Sequence, residues 1–101
     1  MERKETTTEA LQDLLAKLEN LEVTAQEEQG ISLELLGYLK EALALLQEVY
    51  EDKAMEAIHG HVINYCIMKL EFAKTQVEYG DVEEGLKFTQ HVLHYYLKEI
   101  G

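Results

Sequence analysis

Proline and tryptophan are absent from this chain, and cysteine occurs once. Without proline nothing forces a break inside a long helix, and no cis X-Pro turn or polyproline segment belongs to the fold. The single cysteine, Cys66, has no internal disulfide partner. Its apolar setting, Tyr65-Cys66-Ile67-Met68, predicts a buried, inert thiol, because a reactive thiolate needs a positive neighbourhood. Ser32 is the only serine and no histidine adjoins it, so a serine nucleophile with its base is not indicated; a glycine-rich phosphate loop and a Cys-x-x-Cys pair are missing too. Long apolar runs are also lacking. No segment is fit to span a bilayer, and the start MERKETTT has no signal-peptide core, so a cytoplasmic protein is expected.

Positive charge is scarce. Nine Lys and Arg stand against twenty Asp and Glu, a net of −11 that repels phosphate backbones and anionic lipid. Neither nucleic acid nor a membrane is expected as a partner.

What remains is a chain of 101 residues, 47% hydrophobic and 29% charged, which fits one packed domain rather than a disordered segment. Strand-forming residues never alternate with polar ones over a useful length, so the expected class is all-α. The spacing predicts an antiparallel four-helix bundle, with helices at about 6–28, 32–51, 53–79 and 82–99. A flexible tail, residues 1–5, precedes the single domain, residues 6–101.

The first helix is expected to start at Thr6, whose spacing to Glu9 is that of a capping box. Its apolar seam, Leu11, Leu14, Leu18, Leu21 and Ala25, is narrow, as in a helix at a bundle edge. Gly30 is expected to end it and Ser32 to cap the next. The second helix carries Leu35, Leu36, Leu39, Ala42, Leu43, Leu46, Val49 and Tyr50 on one broad face, with Glu34, Glu41 and Glu48 as an acidic ridge opposite. Between this helix and the next there is neither Gly nor Pro. The apolar direction nevertheless jumps by roughly 160°, more than one straight helix can bury in one core. A break is therefore expected at Glu51-Asp52-Lys53 with Asp52 as N-cap; the alternative is one helix of nearly ~50 residues shared between partners in an intertwined dimer.

In the third helix Met55, Ile58, Val62, Cys66, Leu70, Ala73 and Val77 share a side, and His61, Tyr65, Met68, Phe72 and Tyr79 form a second stripe. So wide an apolar arc needs covering on two sides. Gly80 closes this helix, and Asp81 with Glu84 forms an acidic capping box for the fourth. There Val82, Leu86, Thr89, Leu93, Tyr96 and Ile100 point inward, flanked by Phe88, Val92 and Tyr95. The surplus apolar residues, Tyr65, Met68, Phe72, Tyr79, Phe88, Val92 and Tyr95, are the candidate partner-binding set.

All four histidines lie in the last two helices. Antiparallel packing about Gly80 leaves His59 about 11 Å along the axis from His94, too far for one metal ion to join all four. His91 and His94 share a polar face with Glu84, Lys87 and Lys98, a poor metal site. His59 is expected as a hydrogen-bonded core residue and His61 at an interface edge. Glu48-x-x-Glu51 and Glu78-x-x-Asp81 resemble the paired acidic motifs of all-α nucleotide pyrophosphohydrolases, but Glu51 and Asp81 fall at predicted helix ends, where carboxylates serve as caps. No cofactor, metal or catalytic residue is assigned.

The stretch AKTQVEYGDVEEGLKFTQHVL, residues 73–93, resembles the middle of a tetratricopeptide repeat. Ala73, Gly80, Asp81, Val82, Glu83, Glu84, Gly85, Leu86, Phe88 and Leu93 occupy the small, Gly-Asp, acidic and apolar positions. The segment from Gly80 to Leu97 is also similar to the second helix of the microtubule-interacting-and-transport domain. A second copy at a 34-residue period is not found. The resemblance implies a helical hairpin that holds a peptide or a helix. In size and charge the chain also looks like the small acidic chaperones of flagellar and other secretion systems. The expectation is a non-enzymatic adaptor, regulator or chaperone-like module that binds another protein or peptide beside the third and fourth helices, and forms a homodimer. A metal-dependent pyrophosphohydrolase-like enzyme, or a histidine metal sensor, is the alternative.

Overall fold

A computed structural model describes residues 2–21 and 28–100, with side chains for 7–21 and 30–100. Four helices follow one another: α1 (Glu2–Glu19), α2 (Glu28–Glu51), α3 (Lys53–Glu78) and α4 (Val82–Glu99). No strand occurs among the described residues. Each helix packs against its neighbour in sequence and α4 returns to α1, closing an antiparallel bundle in which α2 and α4 face each other across a diagonal.

The core is built from the seams that helical periodicity brings inward. Leu11, Leu14 and Leu18 come from α1; Leu35, Leu39, Ala42 and Leu46 from α2; Ile63, Cys66, Leu70, Ala73 and Val77 from α3; Val82, Leu86, Leu93 and Tyr96 from α4. The α3 seam steps by three and four residues in alternation, the pattern of a helix clasped along its length. Thr89 is buried among these side chains. Its hydroxyl donates to the Gly85 carbonyl at 2.7 Å, which removes the cost of an unpaired polar group.

The turns show how the chain folds back. At Asp52 the side chain accepts from the amides of Ala54 (3.0 Å) and Met55 (3.3 Å), so the break between α2 and α3 stands where the change of apolar face placed it, and the continuous-helix alternative is excluded. After α3, Gly80 takes φ +99°, a conformation open to glycine. The Gly80 amide donates to the Val77 carbonyl at 3.0 Å and the Asp81 amide to the Gln76 carbonyl at 2.8 Å, the paired bonds of a Schellman turn.

Other boundaries differ from expectation. The backbone of residues 2–5, expected as a tail, is helical, and Thr6 lies inside α1 rather than at its N-cap. Glu2-Arg3-Lys4-Glu5 are good helix formers with no breaker before Thr6. α1 ends at Glu19 and not near residue 28; the Asn20 and Leu21 amides tighten its last turn onto the carbonyls of Lys17 and Leu18. Ala25, expected on its seam, lies outside the described residues. Gly30 sits in the first turn of α2 and Ser32 inside it. A helical glycine costs roughly 1 kcal/mol against alanine, less than the ~1.5–3 kcal/mol from burying each of Ile31 and Leu35 beside it. Asp81 makes no side-chain cap bond, so the second capping box does not form; its carbonyl instead accepts from Gly85 at 2.9 Å.

α3 is kinked at His59, whose φ of −120° and ψ of 15° interrupt the helix one residue before Gly60. His59 is half-buried there and is not a core residue. Ile58, expected inside, is 75% exposed, while Ile63 is fully buried. The cause is length: α4 has 18 residues against 26 in α3, about 27 and 39 Å at ~1.5 Å per residue, so α4 turning back from Gly80 ends before it reaches Ile58.

Candidate functional site: an aromatic strip between α3 and α4

α3 and α4 cross closely because Gly85 presents no side chain to α3. A β-carbon at residue 85 would lie 3.3 Å from the Ala73 carbonyl oxygen and would overlap a Val77 methyl. With the backbones this near at the turn, large side chains farther along meet edge to edge over the outer groove. Phe72 and Phe88 form one T-shaped pair, with ring centroids 5.6 Å apart. Tyr65 and Tyr95 form the next, at 5.5 Å. Both pairs are symmetric about Gly80, eight residues on either side for the first and fifteen for the second, as an antiparallel hairpin requires.

Lys69 lies between the pairs. Its ammonium stands 5.3 Å from the Tyr65 ring centre and 6.0 Å from that of Phe88, so its stem covers apolar surface while its charge faces the rings. Even so the strip is open to solvent: Tyr65 is 46% exposed, Met68 56%, Phe72 53% and Tyr95 38%. Each edge-to-face pair is worth only about 0.5–1.5 kcal/mol beyond burial, less than full burial of the same rings would contribute. Side chains of this size left half in water and touching one another form a contiguous apolar patch, not scattered surface residues.

Two members of the candidate set stand apart. Val92 is buried, with 4% exposure, and belongs to the core rather than to an accessible flank. Tyr79 is the most exposed large hydrophobic residue described, at 86%, but it sits at the C-cap of α3, about 10 Å along the axis from Phe72. The strip proper is Tyr65, Met68, Phe72, Phe88 and Tyr95.

The acidic residues avoid this face. Between Glu56 and Glu71, and again between Glu84 and Glu99, there is no Asp or Glu, whereas no other gap between successive acids exceeds six residues. The two gaps lie side by side, since residues 62–70 run level with 98–90 across the hairpin. Residues 1–51 hold twelve acids and four bases, a net of −8; residues 52–101 hold eight and five, a net of −3. Glu34, Glu41 and Glu48 are exposed on α2, diagonal to α4. Charge depletion around aromatic and methionine side chains is the compositional mark of an interface centre. The acid gaps were open to view in the sequence; periodicity, which asks only what faces inward, does not look for them.

The other candidate chemistries are not brought together. Glu51 ends α2 just before α3, whereas Glu78 is the last residue of α3 and Asp81 follows it, about 39 Å away along a helix of 26 residues. Carboxylates so placed in one chain do not share an ion. No cluster of three or more His, Cys, Asp or Glu side chains suited to a metal occurs among the described residues. His61, His91 and His94 are exposed. His94 has a structural use: its Nε2 lies 3.1 Å from Glu19 Oε2, next to Gln90, whose Nε2 donates to the Leu18 carbonyl at 3.0 Å, and the two contacts hold the end of α1 against α4. Cys66 is fully buried, and burial pushes its thiol pKa up to about 11, away from thiolate chemistry.

Among the described residues no helix is long and apolar enough to cross a membrane. Compared with protein-family models, with curated proteins and with solved structures, the chain has no significant match.

Proposed function

We propose that this chain is a non-enzymatic protein–protein interaction module, in the manner of an adaptor, a regulator or a small acidic chaperone, and that the strip between α3 and α4 is its binding face. The observation that carries the reading is the paired aromatic ladder of Tyr65 with Tyr95 and Phe72 with Phe88, in which Tyr65, Tyr95 and Phe72 are exposed and Phe88 partly buried, flanked by Met68 and set in the acid-free part of an acidic chain. Aromatic rings already fixed by each other and by Lys69 lose little rotamer freedom when a partner covers them, so more of the burial is available for affinity. Methionine beside them adapts to partners of different shape.

The resemblance of residues 73–93 to a tetratricopeptide hairpin supports the same reading, because such hairpins hold peptides and helices. The enzyme alternative has less support, since its two acidic pairs stand at opposite ends of α3.

The test is a random-peptide display selection run in parallel on the wild-type chain and on Met68→Glu. Enrichment on the first and its loss on the second supports the reading. Equal enrichment on both removes it, as does enrichment on neither when the chain is held at a concentration where it is monomeric.

A further inference from the structure

We infer that the occupant of the α3–α4 strip is a second copy of this chain, docked about a two-fold axis that passes close to Met68 and at right angles to α3. The inference rests on the proposed binding face and adds the identity of what covers it.

Charge is the first argument. A chain of net −11 repels its own copies, and the repulsion is strongest if they meet through residues 1–51, which carry −8. Meeting through α3 and α4 puts α1 and α2 on the far sides. The bundle is 22 by 19 Å in cross-section, so the outer faces of those two helices lie about two Debye lengths behind the contact at physiological salt, where the length is ~8 Å. The acid gaps at residues 57–70 and 85–98 leave the contact itself free of carboxylate conflict, with Lys69, beside the axis, as the charged group that meets its own copy there.

Self-complementarity is the second. An axis at Met68 brings the two α3 helices together antiparallel and sets Tyr65 of one copy between Met68 and Phe72 of the other, with the reverse contact made at the same time. Such an isologous contact closes on itself and leaves no free copy of the patch to recruit a third chain.

Area is the third. Large side chains that bury 150–250 Å² when fully covered present roughly 100 Å² each at half exposure. Tyr65, Met68, Phe72 and Tyr95 therefore supply roughly 400 Å², about half of the ~800 Å² per partner in a stable interface. Asn64, Lys69 and His91 flank them, which puts the contact at the small end of interface sizes, that of a weak, concentration-dependent dimer.

Sedimentation equilibrium from about 1 µM to about 1 mM, at low and at physiological salt, tests the inference. The expected result is a species of twice 11.6 kDa whose dissociation constant falls as salt rises, because screening relieves repulsion between two acidic chains; an oppositely charged partner would show the reverse. Met68→Glu, and independently Met68→Lys, are expected to weaken the dimer at least tenfold while leaving the melting curve unchanged at concentrations where the wild type is monomeric. Met68→Cys is expected to give a disulfide-linked dimer on mild oxidation, with Cys66 buried and silent. A wild-type chain that stays monomeric to the highest concentration overturns the second copy as occupant, and the peptide selection then decides separately whether the strip binds anything. A dimer as tight in both Met68 charge variants as in the wild type overturns the inference and the binding face together.

Discussion

Gly85 of α4 faces Ala73 of α3 with no room for a side chain: a β-carbon there would stand 3.3 Å from the Ala73 carbonyl oxygen and overlap a Val77 methyl. This approach sets the spacing of the α3–α4 hairpin and so the distance at which Phe72 meets Phe88. Gly85→Ala gains roughly 1 kcal/mol of helix propensity but forces overpacking that costs about 1–3 kcal/mol. The expected outcome is a net loss of stability and a lower melting temperature by circular dichroism. An alanine variant that melts higher would show that Val77 turns aside freely.

Asp52 holds the start of α3 through two amides, Ala54 and Met55. Asp52→Ala is expected to lose about 1 kcal/mol in urea unfolding, the usual worth of such a cap, while Asp52→Asn keeps most of it. Equal losses in both variants would mean that negative charge, rather than cap geometry, matters at this position.

The main outlines of the bundle can be read from residue spacing, because core seams obey a fixed helical period. The reversal of apolar face at Asp52 located a break that no glycine or proline marks. Spacing misleads where tertiary context decides. Ile58 lies on a good apolar period, yet α4 is too short to reach it, and the kink at His59 has no counterpart in the pattern. Thr6-x-x-Glu9 and Asp81-x-x-Glu84 have capping-box spacing. The first pair falls inside a helix, and in the second Asp81 is itself the last residue of a Schellman turn and makes no side-chain cap bond. For the candidate site, the aromatic residues were identifiable as surplus to the core. Val92 was misplaced because its neighbours Phe88 and Tyr95 lie outward, while it sits one step nearer the core beside Leu93.

The buried thiol and phenol tie stability to alkaline pH. Burial raises Cys66 from 9.0 to about 11, and burial followed by the nearby Cys66 thiolate raises Tyr96 from 10.0 to about 12. Both groups are neutral when protonated, so the unfolded chain releases these protons first as the pH rises. Their contribution is complete below about pH 9 and declines through the folded values, from about 9 to about 12. Urea midpoints measured across that range are expected to fall, and Cys66→Ala is expected to flatten the first part of the fall. Native Cys66 should resist alkylation near neutral pH and react once urea unfolds the chain.

Magnesium and zinc are expected to leave the melting temperature unchanged against a chelator control. Glu51 and Glu78 are separated by the length of α3, and the exposed histidines do not converge with other ligands. A ligand that binds only the folded state raises its stability in proportion to the logarithm of concentration over Kd. A rise of several degrees with either ion would therefore reveal a site that the single-chain geometry does not form.

The most direct test of the binding face is a concentration series of amide chemical shifts. Residues Tyr65 to Phe72, with Phe88 and Tyr95, are predicted to shift together as the protein is concentrated, while α1 and the outer face of α2 stay fixed. Shifts centred on α1 or on the Glu34–Glu48 ridge, or none at any concentration, would contradict an assembly built on the α3–α4 strip.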